Sequence, residues 1–147
     1  MTVLVTGAAG FIGSHVAAAL LDRGERVVGL DNLNAYYDPA LKRARLHRLQ
    51  ARDGFAFHQA DAHVAEAVNA VVDGYPDMDR MIHLAAQAGV RYSLENPWAY
   101  IDANVHAQVT VMEAARRLPK LRHLVYASSS SVYGGNTKLP FSVDDSV

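Results

Sequence analysis

The sequence predicts an α/β protein built on a parallel, doubly wound sheet, and two observations carry that prediction. Short apolar or β-branched runs alternate with longer stretches of helical periodicity along the whole chain, the pattern of repeated β-α-β units. The connections between the runs are too long for hairpins, and strands joined by crossovers lie parallel. The chain has 147 residues, 50% apolar and 20% charged, which suits one compact domain with a substantial core.

Taken in order, Val3-Leu4-Val5 reads as the first buried strand. The next helix runs from about Phe11 to Arg23 with Ile12, Val16 and Ala19-Leu20 on one face, and Gly24 stops it. Val27-Val28-Gly29-Leu30 is the second strand, ending at Asp31. Asn32 to Pro39 is a loop rich in turn formers and tyrosine. Pro39 opens a basic helix, Ala40 to Arg52, in which Leu41, Arg45 and Leu49 share a side. Phe55-Ala56-Phe57-His58 is the third strand, Val64 to Val72 a helix, and Met81-Ile82-His83-Leu84 the fourth strand. A long helix from about Trp98 to Leu118 carries Ile101, Val105, Val109 and Met112 at spacings of four, four and three, and Pro119 ends it. His123-Leu124-Val125-Tyr126 is the fifth strand and leads into Ser128-Ser129-Ser130-Ser131. The usual strand order for such a chain is 3-2-1-4-5, with the ligand crevice at the carboxyl ends of strands 1 and 4.

Composition narrows the function. A formal net charge of -1 and the lack of a basic stripe argue against a nucleic-acid partner. No cysteine is present, which excludes disulfides and thiolate metal sites. The seven histidines show no His-x-x-x-His pair, so no metal is expected. The opening Met-Thr-Val-Leu-Val-Thr breaks into glycines too soon for a signal peptide, and no run approaches the roughly 20 apolar residues of a membrane span. A cytoplasmic location is the expectation.

Chemistry concentrates in Gly7-Ala-Ala-Gly10-Phe11-Ile12-Gly13, which follows a strand and opens a helix. Gly7 permits the sharp turn, Gly10 lets backbone approach a pyrophosphate, and Gly13 lets the helix pack close to the sheet. The helix N-terminus adds unpaired N–H groups and a partial positive charge. Asp31 ends the second strand 18 residues after Gly13, where a carboxylate accepts hydrogen bonds from the adenosine ribose. The same carboxylate repels a 2′-phosphate, and Asn32-Leu33-Asn34 holds no arginine to offset it, so NAD is expected over NADP. The plain alternatives are a glycine turn without a ligand and a loop-capping aspartate.

Together Thr6-Gly7-Ala-Ala-Gly10-Phe11-Ile12-Gly13-Ser14, Asp31-Asn32, Asp61, Leu84-Ala85-Ala86-Gln87, Asn104-Val105 and Ser128-Ser129-Ser130-Ser131-Val132-Tyr133-Gly134 resemble the extended short-chain dehydrogenases/reductases of the NAD-dependent epimerase/dehydratase family. The resemblance runs through the whole chain. Asp31-Asn-Leu-Asn-Ala-Tyr-Tyr37 through Leu46, and Ala85 through Ser93 with Glu95-Asn-Pro97, are most similar to UDP-glucuronate 4-epimerases, which interconvert UDP-glucuronate and UDP-galacturonate. The resemblance implies a Rossmann-type NAD-binding domain over residues 1–147, ending before the remaining strands and the substrate-binding portion. It assigns Asp31 and Asn32 to the adenosine ribose, Asp61 and Ala62 to the adenine, and Leu84, Ala85 and Ala86 to the cleft wall, with Asn104 in the helix behind. Ser129 matches the catalytic serine, and Gln87, Arg91, Ser129 and Ser130 are candidates for the sugar nucleotide. Arg91 reads equally as a surface ion-pair residue, and the serine run as a polar loop.

In the family's mechanism a tyrosine phenolate takes the proton from the sugar 4-hydroxyl while tightly bound NAD takes hydride from C4, and hydride returns to the other face of the 4-keto sugar. The family's tyrosine belongs to Tyr-x-x-x-Lys, yet none of the seven tyrosines here has a lysine four residues on; after Tyr133, position 137 is Thr137 and the lysine is Lys138. The chain therefore reads as the N-terminal part of a longer, homodimeric enzyme and is expected to be inactive alone. Its fifth strand is expected to be an exposed edge. A UDP-glucose epimerase, a dehydratase, a decarboxylase and a non-catalytic NAD-binding module are the other functions compatible with these residues. Arg43, Arg45 and Arg48 read as a solvated helix face.

Overall fold

The computed structural model describes residues 1–146, so Val147, the last residue of the expected domain, lies outside the described residues. Five parallel strands, β1 (Thr2–Thr6), β2 (Arg26–Asp31), β3 (Phe55–Gln59), β4 (Met78–His83) and β5 (His123–Tyr126), form one sheet in the order β3-β2-β1-β4-β5. The doubly wound architecture and strand order expected from the β-α-β pattern are thus observed. β1 is buried along its whole length, as befits the central strand.

Because successive strand side chains point to opposite faces, neighbouring residues feed different cores. Leu4, Val28 and Leu30 join Val68 and Val72 of α3 (Ala65–Asp73) and Val111 and Ala114 of α5 (Ala107–Arg117) on one face. Val3, Val5 and Val27 join Ala17, Leu20 and Leu21 of α1 (Phe11–Asp22) and Leu49 of α2 (Pro39–Gln50) on the other. Helix starts and stops follow local chemistry. The Asp38 side chain accepts from the Ala40 N–H at 2.8 Å and caps α2 ahead of Pro39, while Gly24, at φ +75°, ends the turn after α1.

Four elements depart from expectation. The fourth strand begins at Met78 rather than Met81 and stops at His83; Met78 is fully buried opposite Thr2, and the polar pair Asp79-Arg80 had hidden it. The helix expected over Trp98 to Leu118 is α4 (Pro97–Tyr100), a π-helical segment (Ile101–His106) and α5. Its Ile101, Val105, Val109 and Met112 stripe is exposed, whereas Ala107, Val111, Ala114 and Ala115 are buried. The small-residue side lets α5 approach the sheet and α3 closely, so a stripe at helical spacing did not say which side faces this sheet. Likewise Gly13, Ser14, Ala17, Leu20 and Leu21 are the buried side of α1, with Ile12 exposed. In α2, Lys42, Leu46 and Leu49 are buried and Leu41 is exposed. Among the described residues β5 pairs with β4 alone, and Val125 and Tyr126 are open on this edge.

The helix-face assignment predicts that Val111→Ala costs about 1–3 kcal/mol. Val109→Ala stays within about 0.5 kcal/mol. Urea denaturation of the two variants checks it, and equal effects would reverse the assignment.

Candidate functional site

The carboxyl ends of β1, β2 and β4 open into one cavity of about 500 Å³, a size typical of small-molecule and cofactor sites. Its floor is the turn after β1. Gly7 has φ +69°, and a β-carbon there would lie 2.9 Å from the Ala85 nitrogen. A β-carbon on Gly13 would press into the Gly7 carbonyl, 2.7 Å from the Gly7 carbonyl carbon. Gly10 donates its N–H to the Gly7 oxygen at 2.9 Å and precedes α1, with no side chain capping the helix. Phe11, Ile12 and Gly13 form the first turn, whose N–H groups lack intrahelical acceptors, and all three line the cavity. That end of α1 suits an anion.

Asp31 stands at the adjoining wall, 5% exposed. Its Oδ2 accepts from the Ala9 N–H at 3.1 Å, tying β2 to the glycine turn, and its Oδ1 accepts from Leu33 N–H at 2.9 Å. The Asn32 amide donates to Asp61 Oδ2 at 2.9 Å. Burial alone would raise the Asp61 pKa, but hydrogen bonds from Asn32 and from the His63 ring and backbone outweigh it and hold the carboxyl below its ordinary value. Asp31, Asn32, Asp61 and Ala62 thus share one wall.

The opposite wall is Leu84, Ala85, Ala86 and Gln87. The Thr6 hydroxyl oxygen accepts from the Leu84 and Ala85 N–H groups, each at 3.1 Å, and lies 2.6 Å from His83 Nδ1. With its acceptor sites used, the hydroxyl donates its proton to His83 Nδ1, which fixes the ring as the neutral Nε2–H tautomer. Burial lowers the His83 pKa in agreement. Asn104 stands behind the wall rather than on it. Its Oδ1 accepts from Gln87 N–H at 2.8 Å and its Nδ2 donates to Gln87 O at 3.0 Å.

The remaining candidates lie off the cavity lining. Arg91 is exposed in a 3-10 turn, Arg91–Leu94. Ser129 and Ser130 are exposed two and three residues past Ala127, the lining residue that follows β5. The Ser129 Oγ accepts from Ser131 N–H at 3.3 Å, ahead of the 3-10 turn Ser130–Tyr133.

Sequence reasoning missed the contribution of α2. Leu41, Lys42 and Arg45 line the cavity, and the Arg45 guanidinium sits 5.8 Å from the centre of the Phe11 ring. Lys42 Nζ is 3.6 Å from Asp31 Oδ1 and donates to Asn34 Oδ1 at 3.0 Å. The available signal was spacing, since Leu41, Lys42 and Arg45 stand at i, i+1 and i+4 beside the turn formers after Asp31. Arg45 is therefore no member of a solvated face.

Among the described residues no group of histidine and carboxylate side chains is placed to hold a metal ion, and no helix is long and apolar enough to cross a membrane.

Thr6→Val should cost about 1–3 kcal/mol, because three buried polar partners lose their hydroxyl. In the unmodified protein, ¹⁵N NMR should show His83 as the Nε2–H tautomer. Because its folded pKa is depressed, the His83 contribution to stability is complete above the unfolded value near 6.5 and falls as pH drops toward the folded value. Urea midpoints across that range, compared with His83→Gln, check the sign.

The model of the NAD dependent epimerase/dehydratase family matches residues 3–146. UDP-glucuronate 4-epimerase 4 of Arabidopsis thaliana is 49% identical over 145 residues, covering 99% of this chain and 33% of that protein. An uncharacterized 37.6 kDa protein of Escherichia coli O111:H- is 51% identical over 148 residues, covering 100% of this chain and 43% of that protein. UDP-glucuronic acid 4-epimerase from Bacillus cereus, solved with UDP-glucuronic acid and NAD, superposes with a TM-score of 0.87 at 34% identity, over 99% of this chain and 45% of that one. UDP-glucose-4-epimerase from Stenotrophomonas maltophila, solved with NAD and formylated UDP-arabinopyranose, gives 0.83 and 32%, over 99% and 42%. The chain thus spans between a third and just under half the length of these relatives. With its glycine turn, its parallel sheet and a family match that runs through nearly all of its residues, the chain belongs to the NAD dependent epimerase/dehydratase family.

Proposed function

We propose that residues 1–147 are the NAD-binding part of a nucleotide-sugar 4-epimerase acting on UDP-glucuronate and UDP-galacturonate. The observation that carries this reading is the cavity floor. The Gly7–Gly13 turn offers backbone N–H groups without β-carbons, and Asp31, hydrogen-bonded to that same turn, supplies an acidic end to the cradle. A dinucleotide fits this donor set, with the pyrophosphate on the first turn of α1, the adenosine ribose at Asp31 and Asn32, and the adenine near Asp61 and Ala62. Leu84, Ala85, Ala86 and, through Gln87, Asn104 shape the wall at the other end.

NAD, when bound, supplies a hydride acceptor and donor. The chain's own residues orient it and exclude water. Ser129 is the residue we assign to the sugar 4-oxygen, where a hydroxyl can donate or accept as the oxygen changes charge. Gln87, Arg91 and Ser130 are proposed substrate contacts, with Arg91 suited to a carboxylate or phosphate. No tyrosine here has the lysine partner expected of the proton-transfer pair, so these residues alone are proposed to bind cofactor without turnover. The complete enzyme is proposed to be a cytoplasmic homodimer. The glucuronate preference rests on the 49% identity to the plant UDP-glucuronate 4-epimerase.

Calorimetry should show NAD binding, with Asp31→Ala weakening it by about tenfold or more, the scale of two lost hydrogen bonds. The enzyme should convert UDP-glucuronate to UDP-galacturonate without accumulating NADH, and Ser129→Ala should lower kcat by about 10²-fold or more. Absence of NAD binding sinks the reading; turnover of UDP-glucose in preference to UDP-glucuronate replaces its substrate.

A further inference from the structure

Tyr36 on the cavity lining, and Tyr92 and Tyr100 packed behind it, have no place in the reading above. Tyr36 belongs to the loop after β2, Tyr92 to the 3-10 turn beyond β4, and Tyr100 ends α4. Their rings form a chain, with centroids 4.9 Å apart for Tyr36–Tyr92 and 6.3 Å for Tyr92–Tyr100. The Tyr100 hydroxyl donates to Ala88 O at 3.1 Å and also reaches Gly89 O. Gly89 has φ +92°, and a β-carbon on it would lie 2.5 Å from the Tyr36 hydroxyl oxygen. The Tyr36 phenol therefore rests directly on the Gly89 backbone.

Sheet order gives this cluster its meaning. β2 and β4 flank β1, so the loops leaving them stand on either side of the glycine turn. The tyrosines join one loop to the other across the carboxyl end of β1. Tyr36, Gln87 and Ala88 line the cavity above, as Gly7 and Gly10 line it below. The two sides of this bridge are not equally anchored. The β4 side is pinned by the paired hydrogen bonds of Asn104 to Gln87. On the β2 side, the chain from Asn32 to Asp38 has no helix or strand, and its ties are side-chain bonds such as Lys42 to Asn34.

We propose that Tyr36, Tyr92 and Tyr100 form a clasp that closes a ring of protein over the pyrophosphate of the dinucleotide, so that the cofactor leaves only when the β2 loop parts from Gly89. The inference rests on the NAD reading and deepens it by naming residues that retain the cofactor. Retention has a chemical use there. An epimerase that returns hydride to the same sugar needs no exchange of cofactor between turnovers, and a released cofactor would strand an oxidised sugar in the site.

The clasp is tested with NADH as the fluorescent probe. Protein loaded with NADH is mixed with excess NAD and the dissociation rate is followed by stopped flow, alongside the association rate. Tyr36→Ala and Tyr100→Phe should each release NADH about tenfold faster or more, and association should also quicken, because an opened ring eases passage both ways. A merely damaged site would instead slow association. Tyr36→Phe keeps the ring and removes only the hydroxyl, so it serves if the alanine variant does not fold. Tyr75→Phe, whose hydroxyl lies 3.1 Å from His58 Nε2 and off the cavity lining, should leave release unchanged. Release within twofold of the unmodified protein in Tyr36→Phe and Tyr100→Phe overturns the clasp while leaving cofactor binding intact. If unmodified protein takes up no NADH, the NAD reading itself fails and the clasp with it.

Discussion

The carbonyl of Gly7 is the point on which the site depends. It accepts from the Gly10 N–H and sits against the α-carbon of Gly13, at a separation no side chain at Gly13 would allow. On its other side, Gly7 lies against the Leu84-Ala85 backbone. Three backbone segments therefore meet in a space with no room for a β-carbon. This contact aims the start of α1 at the crevice and leaves its first N–H groups facing the cavity instead of buried against the sheet. A methyl group at Gly13 would move the helix, and the anion-binding end would move with it.

Where the parallel strands diverge, the ladder can no longer satisfy their backbone groups, and side chains take over. Thr6 accepts the Leu84 and Ala85 N–H groups, Asp31 accepts that of Ala9, and Asn104 serves both backbone groups of Gln87. Each bond joins chain segments that the sheet has released, and each leaves the cavity open. Had backbone met backbone there, the strands would have continued and closed the crevice. The polar residues around the site thus have a structural duty that precedes any ligand, which is why an asparagine behind the wall matters to its shape without lining it.

How much of this was legible in the sequence depends on whether the deciding contact was local. The glycine turn, Asp31 at a strand end and the five-strand order follow from short-range spacing and the crossover rule, and the structure shows them in place. The buried side of α5 was not legible. Ile101, Val105, Val109 and Met112 form an apolar stripe at helical spacing, but close approach to the sheet selected Ala107, Val111, Ala114 and Ala115. β4 was read short because Asp79 and Arg80 break the apolar run, although Arg80 pairs with Val3 through its backbone and Asp79 is only the extra residue at an irregularity in the register. Arg45 was read as helix surface and Lys42 was passed over, because their partners, Phe11 and Asp31, are distant in sequence. Tertiary proximity decided each of these cases, and spacing carries no record of it.

The Lys42 contact also bears on how the acidic wall functions. A buried carboxylate loses its hydration, and the hydrogen bonds and charges around it must offset that loss. Lys42 lies 3.6 Å from Oδ1, and the Ala9 and Leu33 N–H groups occupy one acceptor site on each oxygen. Each carboxylate oxygen has a second acceptor site, so the ribose hydroxyls of the proposed cofactor would meet a group already desolvated and fixed in orientation. A 2′-phosphate in the same place would meet a carboxylate, and the two like charges repel. Lys42 does not reverse that, because its ammonium group is engaged between Asp31 and Asn34. The Lys42 ammonium is thus held against the carboxylate that opposes a 2′-phosphate rather than offered to that phosphate.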